Sequence, residues 1–359
     1  MGIIIGIDVG ISTTKIVGLR EGRVVSPIRI TAADQVTSLY GAFGKYLHDN
    51  KIALGDVQQV MLTGVGAGYI DEPMYGIPTQ KVDEFVADGL GARFESGLSK
   101  AIVVSMGTGT SFVQCDGDDI RHIGGLGIGG GTLQGLSRVM LNTGDWKQIQ
   151  SLAMKGDIRN INLQIGDIST HPLPGLPMDA TASLFSKAQY DAPKEDIALG
   201  IIVMVLQTIG SAAILSSLNS GIKDFVLIGN MTLLPQCKEI YPMLERLYGV
   251  HFHIPKYAEF CTAIGAALYY KDRNASLFTL HSPVQLVQEE VEGFQAGQHH
   301  QRAADGKDIH TAATSQADGR RHPHAGRRSQ AYHHILRLAE DDGSRTDETD
   351  AAHHLGRHT

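Results

Sequence analysis

Gly124-Gly125-Leu126-Gly127-Ile128-Gly129-Gly130-Gly131-Thr132 places six glycines in the eight residues before Thr132. Glycine gives up more backbone freedom on folding than any other residue, so such a run disfavours a packed strand or helix. Yet a strand pattern ends just before it and a helix pattern over residues 132–141 follows at once, which argues against a free surface linker. Bare backbone leading into a helix N-terminus gathers N–H donors at the positive end of the helix dipole, a setting that suits an anion.

The rest of the chain is organised around two similar blocks. In the first, residues 3–8, 15–20 and 23–30 read as strands, 33–49 as a helix, 57–63 as a strand and 79–98 as a helix with Val82, Phe85, Val86 and Leu90 on one face. In the second, 101–106, 111–115 and 120–123 read as strands, and helices follow near 131–141 and 145–155. A long apolar helix over 195–219, a strand at 225–228, a helix at 235–247, a strand at 251–254 and a helix at 260–271 complete it. Three strands, a helix, a strand and a helix therefore occur twice. Each copy opens with a strand running into a polar, glycine-bearing turn.

Those turns are Asp8-Val9-Gly10-Ile11-Ser12-Thr13-Thr14-Lys15 and Val104-Ser105-Met106-Gly107-Thr108-Gly109-Thr110-Ser111. Each alone could be an ordinary hairpin with a polar tip. As an equivalent pair they predict two facing loops that pinch a polyphosphate. Gly10 would let backbone N–H groups approach an oxyanion, Ser12, Thr13 and Thr14 would add hydroxyls, Lys15 a positive charge, and Asp8 a carboxylate for hydrated Mg²⁺.

The 359 residues correspond to about two domains at roughly 100–200 residues each. With 31 Lys and Arg against 38 Asp and Glu, the net charge of −7 offers no general attraction to nucleic acid or anionic lipid. No apolar run reaches the ~18 residues expected of a membrane span, and the N-terminus lacks a basic leader. Cys115, Cys237 and Cys261 are scattered without a CxxC pair, which fits a reducing cytoplasm. Residues 275–359 hold 11 of the 16 histidines, eight arginines and one lysine, with little apolar periodicity, so disorder is expected there. A His-rich tract of this kind could bind metal, and an aberrant extension would look similar.

Taken together, these residues resemble the superfamily of actin, Hsp70-type ATPases and sugar kinases, and within it the type II pantothenate kinases. The resemblance spans roughly residues 3–270. It rests on Gly6-Ile7-Asp8-Val9-Gly10, Gly107-Thr108-Gly109-Thr110-Ser111, the glycine run continuing through Leu133-Gln134-Gly135-Leu136, Asp145-Trp146-Lys147-Gln148, Leu184-Phe185 and Ile228-Gly229-Asn230. It implies an α/β protein of two ribonuclease-H-like (actin-like ATPase) domains, 1–98 and 99–274, flanking an ATP cleft and followed by the tail 275–359. The implied reaction moves the γ-phosphoryl group of ATP, with Mg²⁺, to the primary hydroxyl of pantothenate, the first step of coenzyme A synthesis. A cytoplasmic homodimer is implied as well, with neither nucleic acid nor membrane as a partner.

Carried over residue by residue, the resemblance makes Glu84 the catalytic base, with its neighbour Asp83 as the rival. It assigns ATP to Gly10, Ile11, Ser12, Thr13, Thr14, Lys15, Ile16, Val17, Thr108, Gly130, Gly131, Thr132, Leu133, Gln134, Trp146 and Asn230; core packing is the other reading of Trp146. Two positions depart from the family. Ile11 replaces a glycine and would be strained if that position needs a positive φ. His122, preceded by Arg121, replaces an arginine that holds the substrate, so both Arg121 and His122 are candidate acceptor contacts. Alternatives are a kinase of pantetheine or N-acetylglucosamine, a non-catalytic nucleotide-binding homologue, and an ATPase activator of radical dehydratases. A chain cut after Asn274 is expected to fold and to bind ATP as the full chain does; loss of solubility would show that the tail packs on the core.

Overall fold

The computed structural model describes residues 2–31, 34–171 and 174–272, all within one compact unit. The tail singled out above, 275–359, lies outside the described residues.

Ile3, Ile4, Ile5, Ile7 and Val9 are buried because β1 (Ile3–Val9) is the central strand of a sheet covered on both faces. β2 (Thr13–Arg20) and β3 (Arg23–Thr31) join it antiparallel in turn. Past α1 (Gln35–Asp49), β4 (Val57–Thr63) pairs parallel with β1, and β5 (Thr79–Lys81) pairs parallel with β4. The order is β3-β2-β1-β4-β5. After α2 (Glu84–Ser96) the pattern repeats with β6 (Lys100–Met106), β7 (Thr110–Asp116) and β8 (Asp119–Leu126). Then come α3 (Gly130–Leu141), α4 (Trp146–Ala153), the small pair β9 (Leu163–Gln164) and β10 (Thr181–Ser183) with α5 (Ile165–Ile168) between them, and α6 (Lys194–Ser216). β11 (Asp224–Ile228), α7 (Cys237–Tyr248), β12 (His251–His253) and α8 (Cys261–Asp272) close the second copy, whose order is β12-β11-β6-β7-β8.

Two expectations are corrected here. Residues 79–98 are not one helix: Thr79–Lys81 is an edge strand and the helix starts at Glu84. Three polar residues give no alternation to read, and β5 is held by its parallel partner Val60–Leu62. The statement that no apolar run is long enough for a membrane also fails, since α6 has 23 residues and a mean hydropathy of 2.2 over its most apolar window. In this fold Ile201, Ile202, Val205, Leu206 and Ile209 on α6 form the centre of the second core with α3, α4 and α7.

Strand alternation sends the two faces of each sheet to different helices. Ile3, Ile5, Ile7 and Val9 pack with Leu39, Phe43 and Tyr46 of α1. The opposite face, with Ile4, Leu19 and Met61, packs on Ala266 and Ala267 of α8. In the second sheet Ile102, Val104 and Met106 face α6, while Ala101, Val103 and Val113 face Val86 and Leu90 of α2. Thus α2 and α8 form a middle layer between the sheets. They cross at backbone contact: a Cβ on Gly265 would collide with the Ala87 carbonyl, and one on Gly91 with the Cys261 carbonyl.

That crossing sets up a contrast. Gly265→Val is expected to cost about 2 kcal/mol or more by overpacking, whereas Gly41→Ala in α1, where a Cβ meets nothing within 4 Å, is expected to gain about 0.5–1 kcal/mol. Urea denaturation of the two variants checks both.

Candidate active site

The first turn is a tight hairpin in which the Gly10 N–H donates to the Thr13 carbonyl at 3.0 Å, leaving Ile11 and Ser12 as its tip. Ile11 is 59% exposed and does not take a positive φ, so the strain feared from its β-branch does not arise. Alternation then separates residues that the sequence reading grouped. Thr14 turns to α1, its hydroxyl 3.2 Å from that of Ser38; Ile16 is core beneath α1, and Val17 packs with Phe260, Ala263 and Ile264. Their side chains belong to packing. Thr13 and Lys15 point to the face opposite Thr14 and Ile16, the same face as Val17.

The second turn and the glycine run explain one another. The N–H groups of Gly130 and Gly131 donate to the carbonyls of Gly107 and Thr108, both at 2.9 Å, and a Cβ on Gly129 would stand 2.7 Å from the Thr108 and Gly109 oxygens. Thr110 Oγ1 donates to the Ile128 carbonyl at 2.8 Å. Bare backbone is needed because the Gly107–Thr108–Gly109 turn lies directly on the start of α3. This corrects the expectation that these N–H groups wait for an anion: those of Gly130 and Gly131 already have acceptors. Thr132 Oγ1 accepts from the Gly129 N–H and donates to the Gly127 carbonyl, Gln134 donates to the Gly144 carbonyl, and Leu133 is core. Trp146 opens α4 with its ring edge over Gly130, half-buried against the second core.

Asn230 follows β11 through Gly229, whose φ of +96° suits only glycine. Its Nδ2 donates to Thr13 Oγ1 at 3.3 Å, joining the strand ends of the two sheets, while its Oδ1 is buried without a partner.

Between these turns the middle layer contributes an interior cluster of charge. Lys15 Nζ donates to Asp8 Oδ2 at 3.0 Å, both side chains being more than nine-tenths buried. Desolvation pulls the Lys15 pKa down, but the Asp8 carboxylate beside it outweighs that and holds it above its usual value. Glu84 and Asp88 sit one turn apart on α2. Asp88 is fully buried, accepts from Thr262 Oγ1 of α8 at 2.6 Å and leaves Oδ2 without a partner. Glu84 stands at the first turn of α2 on the outer edge of this cluster, reaching solvent on one side and crowded by protein on the other, with Asp8, Lys15 and Asp88 close enough to act on its charge. Desolvation first, then the charges of Asp88 and Asp8, raise its carboxyl well above the ordinary range. Desolvation likewise raises Asp88, with the hydroxyls of Thr262 and Ser105 opposing.

Asp83, the rival to Glu84, is engaged at the helix start: its Oδ1 accepts from the Phe85 and Val86 N–H groups and caps α2. Arg121 and His122 on β8 diverge: Arg121 pairs with Asp119 at 2.9 Å, while His122 stacks on Phe85 with ring centroids 4.0 Å apart and planes 20° apart. Burial lowers the His122 pKa, so the ring beside the Glu84 turn is neutral. Sequence reasoning missed Asp88 and Thr262. The four-residue spacing from Glu84 could have pointed to Asp88, but nothing local marks Thr262, which arrives from 174 residues away.

The Fumble family model matches residues 95–238. The type II pantothenate kinase of Staphylococcus aureus (strain USA300) is 32% identical over 277 residues, covering 73% of this chain and 97% of that protein; that of strain bovine RF122 is 31% identical over the same span. Among solved structures, the activator of the 2-hydroxyisocaproyl-CoA dehydratase from Clostridium difficile with bound ADPNP superposes with a TM-score of 0.55 at 18% identity, over 77% of this chain and all of that one. Component A of the Acidaminococcus fermentans (R)-2-hydroxyglutaryl-CoA dehydratase gives 0.54 at 20%, over 76% and 99%. These two likenesses concern the fold, which is that of the actin-like ATPases.

The capping geometry of Asp83 predicts that Asp83→Asn keeps most activity and stability, whereas Asp83→Ala loses about 1 kcal/mol in thermal or urea unfolding.

Proposed function

This chain belongs to the type II pantothenate kinase family, and on that premise we propose that it transfers the γ-phosphoryl group of ATP to the primary hydroxyl of pantothenate, giving 4′-phosphopantothenate for coenzyme A synthesis. The observation that carries this reading is the convergence of Glu84 with the Asp8–Lys15 pair, at the strand ends where Asn230 reaches Thr13.

The nucleotide phosphates would lie against the Gly10–Ile11–Ser12–Thr13 backbone and Thr108, with the Thr132 and Gln134 segment at the start of α3 beside them. Trp146 and Asn230 would line the nucleoside side. Thr14, Ile16, Val17 and Leu133 would contribute backbone only, since their side chains are packed away. Mg²⁺ fits the cluster: Asp8, Glu84 and Asp88 bring three carboxylates to Lys15, the one cation beside them among the described residues, and Asp8 is the one whose second oxygen lies over the bare backbone of Gly64. Asp8 would hold the ion through water, and the ion would neutralise phosphate charge.

Phosphoryl transfer through a loose transition state gains most from positioning and charge neutralisation. Lys15, fixed by Asp8, places a positive charge where phosphate oxygens gather. Glu84 orients the acceptor hydroxyl in line with the γ-phosphorus and takes its proton as the new O–P bond forms. Its raised pKa makes it a stronger base than a glutamate without those neighbours. The dehydratase-activator alternative would call for accessible thiolates, but Cys115, Cys237 and Cys261 are buried, and burial pushes the Cys115 and Cys237 thiols up to about 12. The resemblance also implies a cytoplasmic homodimer, and we retain both as part of this reading.

A second acceptor is favoured by one observation. His122 is neutral and stacked, so it offers a hydrogen bond rather than a cation to the far end of the substrate. Pantetheine, which lacks the carboxylate, therefore belongs in the same assay as pantothenate and N-acetylglucosamine. With Mg²⁺-ATP, coupled ADP release should follow pantothenate addition, and Glu84→Gln should lower kcat by roughly 10²–10⁴-fold. Release independent of any acceptor, or an active Glu84→Gln enzyme, would overturn the assignment.

A further inference from the structure

Gln236 stands just before α7 and is only 4% exposed, yet its amide caps nothing on that helix. Its Oε1 is buried without a partner, and its Nε2 donates to the thioether of Met154, with the sulfur at 3.8 Å. A thioether is a weak acceptor, and a buried amide left without good partners costs stability. Met154 follows α4 as its C-cap residue and is 63% exposed, so a small reagent in solution reaches its side chain. A buried donor in need of an acceptor thus lies beneath a sulfur that can be given one.

We propose that Met154 is a modification site for hydrogen peroxide, and that its sulfoxide, by offering Gln236 a strong acceptor, fastens the end of α4 to the start of α7. In the step, the sulfur lone pair attacks one peroxide oxygen. The S–O bond forms as the O–O bond breaks, and the second oxygen leaves as water. Sulfur loses two electrons, the peroxide gains them, and the protein keeps one oxygen atom. Sulfoxide formation ordinarily loosens a structure by making an apolar contact polar. Here the sign is reversed, because the atom that becomes polar faces a donor with no better partner.

The other sulfurs do not offer this. Met61, Met74, Met106 and Met231 are buried, and Met140, 39% exposed on α3, has no comparable amide beneath it among the described residues. Burial pushes the Cys115 and Cys237 thiols up to about 12 and raises that of Cys261, which leaves all three unreactive. The tie also joins two elements that the proposed function puts on the nucleoside side. Trp146 opens α4, and Asn230 opens the short turn Asn230–Leu233 that leads to Gln236. On that reading, fixing the two elements against each other removes motion that nucleotide binding would otherwise have to arrest, so the oxidised protein holds Mg²⁺-ATP more tightly.

The test treats the full chain with dilute hydrogen peroxide and maps oxygen uptake at each methionine by peptide mass spectrometry. Urea unfolding and calorimetric titration with Mg²⁺-ATP then compare the treated and untreated protein. Met154 should take up oxygen before Met140. The unfolding equilibrium constant at fixed urea should fall about 2- to 10-fold, the net worth of one hydrogen bond, and the Mg²⁺-ATP dissociation constant about 2- to 5-fold. Gln236→Leu should be oxidised at Met154 as readily and gain neither effect, whereas Met154→Gln, which carries its own amide oxygen, should show both without peroxide. Oxidation at Met154 that leaves stability unchanged or lowers it, or a Gln236→Leu protein that responds as the wild type does, overturns the proposal. A stability gain with equal Mg²⁺-ATP affinity in both forms would overturn its nucleotide half alone; a stability gain in a protein that binds no Mg²⁺-ATP in either form would instead overturn the kinase assignment.

Discussion

The contact on which the rest of the structure depends is the crossing of α2 over α8, where helix backbones meet without side chains between them at Gly91 and Gly265. One helix lies in each half of the chain, yet together they fill the space between the sheets. α8 covers the first sheet through Ala266 and Ala267, and α2 covers the second through Val86 and Leu90. Close approach maximises dispersion contacts, and it also brings Thr262 within 2.6 Å of Asp88. A bulkier residue at the crossing would separate the apolar layers and the polar bond together. Stability and the geometry of the acid cluster therefore share one cause.

The glycine run shows the same principle elsewhere. Its residues do not form a flexible cradle; they let the Gly107–Thr108–Gly109 turn rest on the first turn of α3, where carbonyls take up two of the helix's otherwise orphaned N–H groups. The turn is thereby held from beneath by the start of α3. On the proposed function this backbone support would preorganise the turn for phosphate, since a preorganised donor needs little reorganisation when charge develops.

Much of this was legible in the chain. The duplicated strand pattern was visible because central strands covered on both faces are nearly all aliphatic, as in Ile3-Ile4-Ile5 and Ile102-Val103-Val104, and each ends in a polar turn. β5 was not, because an edge strand of three polar residues takes its conformation from the neighbour it pairs with. Lys15 and Asp8 were legible as charged groups at a strand end but not as the ion pair they form, and the inward and outward sorting of Thr13, Thr14, Ile16 and Val17 needed the positions of α1 and α8. The sequence favoured Glu84 over its neighbour Asp83 only through the family resemblance; that Asp83 has a structural task became visible with the helix start, whose N–H groups it caps. Asp88 read as one more polar residue because its partner comes from the far end of the fold.

Three carboxylates around one lysine are what apolar patterning and polar satisfaction would both forbid. A single ion pair such as Lys15–Asp8 can offset its desolvation when its geometry is good, but Glu84 and Asp88 add negative charge that no described cation balances. The arrangement persists because the layers on either side are almost wholly aliphatic and bury enough surface to carry a local cost. An unbalanced interior charge raises carboxyl pKa values toward the range where a proton can be taken and returned near neutral pH, which a surface glutamate cannot do. The same excess favours any ligand that brings positive charge with it and disfavours a bare polyphosphate. Among the described residues, this cluster is where the interior departs from good packing by an excess of like charge, and on the proposed function it is also where a proton and a phosphoryl group would be handled together.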